Sequence, residues 1–112
     1  MKPSELKPVD IAFFARKITE SSEYEGLSDL DKMECADALE ASTVVACAYT
    51  GLDMRGMDNY PDITYAIKVM ATEMLDNRNI TAQYNVKNPL VYQILDLHSA
   101  NLLPIVGREY ED

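Results

Sequence analysis

At 112 residues the chain can hold one domain with one sizeable core, but not two. A formal charge of −9 argues against a free-standing nucleic-acid binder, which needs a basic face, and against a protein that adheres to anionic lipid. By default such acidity means solubility and little non-specific sticking. Tryptophan is absent and phenylalanine occurs only at Phe13 and Phe14, so the core must be aliphatic, with methionine and tyrosine as filler.

Residues 1–8 contain two prolines and two lysines and are expected to be an irregular or extended, flexible tail. Beyond them, Ile11, Phe14 (or Phe13), Ala15 and Ile18 recur at helical spacing and predict a short amphipathic helix over 9–18. The apolar cluster from Ile11 to Ala15 is too short for the core of a secretion signal. Arg16-Lys17 follow it where a small-residue cleavage site would stand. No window approaches the roughly 18 apolar residues that span a bilayer. Thr19 to Gly26 is a polar connector with no catalytic pattern.

Ser28, followed by Asp29 and Asp31, is a helix start signal, and no proline or glycine interrupts the chain from there to Thr50. A helix over 28–50 follows, with a stripe through Met33, Ala36, Leu39 or Glu40, Thr43, Ala46, Cys47 and Thr50, widened by Val44, Val45 and Ala48. Its small residues permit close approach of another helix. Gly51 sits where a left-handed residue ends a helix. Cys35 and Cys47 are about 18 Å apart along such a helix, too far for a disulfide, and read as small buried hydrophobes. With a single histidine they make no zinc site, and neither metal nor cofactor is expected.

Residues 53–60 form a turn-rich loop, and the central helix follows over 61–77. Pro61 suits a first turn and Asp62 complements the positive end of the helix dipole. Ile63, Ala66, Ile67, Met70, Met74 and Leu75 line one side, so Ile67, Met70 and Met74 are expected to be buried against the 28–50 helix. In 80–87, Ile80, Ala82, Tyr84 and Val86 alternate as in a strand without a partner in this chain, which predicts either an extended loop or an edge that pairs with a neighbouring subunit. Asn88-Pro89 then start a last helix over 89–101, with Leu90, Val91, Ile94, Leu95 and His98 on its apolar side. The tail after it holds Leu102, Leu103, Ile105 and Val106, exposed apolar residues with no helix left to cover them. Residues 104–112 are expected to be flexible.

No phosphate-binding glycine loop and no serine or cysteine triad is visible. Carboxylate pairs such as Glu34 with Asp37, or Glu73 with Asp76, read as a solvated face. For His98 a packing role is preferred to catalysis. Arg78 carries two readings, a cap on the central helix paired with a nearby carboxylate, or a salt bridge between subunits. The candidate interface residues are therefore Arg78, Ile80, Tyr84, Val86, Leu102, Leu103, Ile105 and Val106.

Three pieces in order carry a family resemblance: Ala38-Leu39-Glu40-Ala41 through Tyr49-Thr50-Gly51-Leu52, then Tyr60-Pro61-Asp62-Ile63-Thr64 through Asp76-Asn77-Arg78, then Val91 through Leu95 with Leu97-His98-Ser99 and Leu102-Leu103. Over 28–103 the sequence resembles the small head–tail connector (adaptor) family of tailed bacteriophages and prophages. The first helix matches only in length and character, and nothing after Pro104 corresponds. The resemblance implies an all-α, non-enzymatic structural protein of the virion neck, assembled in the host cytoplasm. It implies a homo-oligomeric ring, dodecameric in the virion, that docks under the portal protein and joins it to the next head-completion or tail protein. DNA would pass through the channel without sequence-specific binding, and an acidic lumen would repel it. The alternatives are a small acidic helical module that binds another protein, and a small enzyme using His98 with a carboxylate.

Overall fold

In the computed structural model, which describes residues 1–76 and 88–99, the chain is all-α, with no strand among the described residues. The Ser28 side chain accepts the Asp31 amide at 3.1 Å and starts α2 (Asp29–Thr50). At the other end Gly51 takes φ 75°, and its N–H donates to the Cys47 carbonyl. That left-handed turn is why glycine stands there. Pro61 and Asp62 open α4 (Pro61–Asp76), whose buried row runs Ile63, Thr64, Ala66, Ile67, Met70, Ala71 and Met74. Ile67 and Met70 are fully buried and Met74 nearly so, as the apolar spacing predicts.

The face of α2 that packs on α4 differs from the expected stripe. Its buried row is Cys35, Ala38, Ser42, Ala46 and Thr50, while Met33 and Val44 are 54% and 61% exposed. Only Ala46 and Thr50 of the expected stripe are fully buried; Ala36, Leu39, Thr43 and Cys47 lie half-buried on its flanks. The physical reason is steric. A row of small side chains lets the larger residues of α4 approach closely, and that outweighs burying the bulkier Met33. The two threonine hydroxyls bond within α2: Thr43 donates to the Leu39 carbonyl at 2.8 Å and Thr50 to the Ala46 carbonyl at 2.7 Å.

The first helix, α1 (Pro8–Phe14), is shorter than expected. Arg16 takes φ 62°, and the Arg16 and Lys17 amides donate to the Phe13 and Ala12 carbonyls at 3.0 and 2.9 Å. This pair of bonds closes the helix although no glycine marks the turn. Ile18, past the helix, still reaches the core. The polar connector contains a 3-10 turn over Ser21–Gly26, stabilised by the Glu23 carboxylate, which accepts the Thr19 amide and hydroxyl at 2.6 and 2.9 Å. Those bonds hold the Glu23 carboxyl below its ordinary value.

Residues 1–8, expected to be irregular, pack onto the domain. Pro3–Glu5 forms a 3-10 turn with Pro3 buried, and Leu6 joins the core beside Met57 and Ile63. The Ser4 amide and hydroxyl donate to the Asp58 carboxylate at 2.9 and 2.6 Å, across a sequence separation of 54. Within the expected loop, Asp53 accepts the Gly56 amide at 2.8 Å and caps a single helical turn, α3 (Met54–Met57), that buries Met57 completely. The last helix, α5 (Pro89–Leu97), starts where expected, with Asn88 accepting the Leu90 amide at 2.9 Å. It ends before 101, and Leu97 stands 74% exposed. The expected extended segment 80–87 and the tail 104–112 lie outside the described residues.

Helix α4 is central, packed by α2, α1 and α5. One apolar cluster joins Leu6, Ala46, Met57, Ile63, Ile67, Met70, Val91 and Leu95; the other joins Ile11, Ile18, Cys35, Ala38, Ala71 and Met74.

Candidate functional site

Where α5 ends, three distant parts of the chain meet. His98 follows the last helical residue with φ −110° and ψ 11°, and its ring faces α4, as the buried Val91 and Leu95 do. Its Nε2 lies 2.9 and 2.8 Å from the two Asp62 carboxylate oxygens in the first turn of α4, 36 residues away. The ring stacks on Tyr60, with centroids 4.0 Å apart and planes at 19°. The His98 side chain is 14% exposed and the Asp62 side chain 42%. His98 thus packs against an aromatic face with a carboxylate as its polar partner.

Beside it, the Tyr49 hydroxyl donates to Asp96 Oδ1 at 2.7 Å, across 47 residues. The Tyr92 ring meets Tyr49 edge to face at 5.8 Å, and the Ser99 hydroxyl donates to the Tyr49 carbonyl at 3.2 Å. Burial, then the bond to Asp96, raises the Tyr49 phenol above its ordinary value. At the opposite end of the antiparallel α4–α5 pair, Asn88 Nδ2 donates to Glu73 Oε2 at 2.7 Å. Glu73 is therefore engaged and is not part of a simple solvated face.

Chemically, a protonated His98 and Asp62 make a charge-assisted bond. It ties the C-terminal end of α5 to the first turn of α4, as Asn88 and Glu73 tie the other end of α5 to α4. Among the described residues no group of three His, Cys, Asp or Glu side chains could hold a metal ion. No described helix is long and apolar enough to cross a membrane. Cys35 is buried, Cys47 half-buried, and both are free thiols raised above their ordinary values chiefly by burial. A surface depression of about 400 Å³ is lined by Lys7, Pro8, Val9, Tyr24 and Glu25.

The sequence-predicted interface residues, Arg78, Ile80, Tyr84, Val86, Leu102, Leu103, Ile105 and Val106, all lie outside the described residues. The residues that do converge, Tyr49, Tyr60, Asp62, Asp96 and Ser99, have one sequence signal in common. Each is a polar or amphipathic residue at or near a helix end. Compared with models of known families, with curated proteins and with solved structures, the chain gives no match.

Proposed function

We propose that the protein is a head–tail connector subunit of a tailed phage or prophage, forming a ring below the portal that extends the DNA channel and joins head to tail. One observation carries the reading most of the way. The three stretches behind the resemblance, one ending in Tyr49-Thr50-Gly51-Leu52, one opening with Tyr60-Pro61-Asp62 and one containing Leu97-His98-Ser99, are joined by Ser99–Tyr49 and His98–Asp62. Stretches that carry the resemblance in order also hold one another in place, which supports reading them as parts of one unit. The all-α architecture and the charge of −9 accord with a conduit for DNA.

The decisive measurement is native mass spectrometry of the purified protein with and without the portal protein of the same phage. A connector assembles into a ring, dodecameric when the portal is present. A monomer or dimer under both conditions would replace this function with the acidic protein-binding module.

A further inference from the structure

We propose that the outward face of α2 docks on the aromatic and cationic corner between α1 and α4 of a second copy of this chain. This rests on the ring-forming function above and names the two surfaces that meet. Along α2, Leu30, Met33, Asp37, Glu40 and Val44 follow one another at spacings of three and four on the side opposite the buried row. Leu30, Met33 and Val44 are 55%, 54% and 61% exposed. A helix face that shows large apolar residues between carboxylates is built to be covered by a partner bearing both apolar surface and positive charge.

The corner between α1 and α4 has that character. Phe14 meets Tyr65 edge to face at 5.7 Å, and Lys68 Nζ lies 5.8 Å from the Phe14 ring centre. Phe13 and Tyr65 are 49% and 45% exposed. Arg16 is exposed beside them, held in a left-handed backbone that L residues adopt at a cost. The carboxylates one turn before Phe14 and Tyr65 are engaged: Asp10 accepts the Lys7 amide and Asp62 holds His98. Hydrogen bonding leaves both carboxylates charged, but the three cations Arg16, Lys17 and Lys68 outnumber them and make this corner net basic.

The two surfaces cannot meet within one molecule. Helices α2 and α4 pack through their buried rows, and each turns its exposed row away from that contact. Contact between unlike surfaces on two copies is heterologous, the type of contact that closes into a ring when the rotation between neighbours divides a full turn. Pairing acid with base also disfavours like-on-like docking.

The test uses the full chain and two charge-reversed forms, Arg16→Glu with Lys68→Glu, and Asp37→Lys with Glu40→Lys. Native mass spectrometry, with and without the portal protein, reads assembly, and circular dichroism confirms that each form remains helical. Each reversed form alone should need on the order of tenfold or more protein to assemble. An equimolar mixture of the two should restore the ring, since acid again faces base at every contact. Rings formed normally by either reversed form, or no restoration on mixing, would overturn the docking while leaving the connector function standing. A loss confined to portal binding would reassign the face to the portal and overturn the docking too. If a reversal unfolds the chain, salt decides: wild-type assembly that does not weaken with added salt overturns the proposal. A wild type that never assembles, with or without portal, overturns the function and the docking together.

Discussion

At one end of the bundle, α1 and the N-terminal half of α2 meet the last turns of α4 through Ile11, Cys35, Ala38, Ala71 and Met74. The side-chain bond between elements there is weak, Ser42 to the Met74 sulfur at 3.5 Å. At the other end, Ile63, Ile67, Val91 and Leu95 form an equally dry core, but its rim is laced by Tyr49–Asp96, Ser99–Tyr49 and His98–Asp62. The difference teaches where specificity comes from. Close packing of small residues fixes how near two helices come, but apolar contacts tolerate sliding. Directional bonds between groups 36 to 50 residues apart accept only one register for α5.

Three substitutions probe this contrast. Met70, fully buried, is followed in the chain by Ala71 of the other cluster, so it lies at the seam of the two regions. Met70→Ala should cost about 2–5 kcal/mol in chemical denaturation, the largest of the three effects. A loss below about half a kilocalorie would mean that α4 does not link the two clusters. Ala38→Leu overfills the apolar end and should cost about 1–3 kcal/mol, because the close α2–α4 contact leaves no room for the added atoms. A neutral result would show that this end is loosely packed.

Tyr49→Phe tests the laced end and should cost about 1 kcal/mol at neutral pH. It should also alter the alkaline limb of the stability curve. The folded phenol titrates above its ordinary value of 10.0, so its contribution is complete below that pH and is lost as the pH rises beyond it. Replacing it with phenylalanine should flatten that decline in a pH series of melting curves. An unchanged alkaline limb would remove Tyr49 from the lacing.

The sequence alone determined the helices that its caps announce. Ser28, Gly51, Pro61 and Asn88-Pro89 act within a single turn of chain, so α2, α4 and α5 start as the residues say, and the buried row of α4 follows from its period. Only the tertiary structure decided the rest. The end of α1 depends on Arg16 holding a left-handed turn without glycine as a signal. The face that α2 buries depends on how closely α4 approaches, which periodicity cannot register when small and large residues alternate around the helix. The surroundings of His98, and the bond from Tyr49 to Asp96, depend on groups brought together across 36 and 47 residues. Capping and periodicity are properties of neighbours along the chain, whereas these pairings exist only once α5 has folded back along α4.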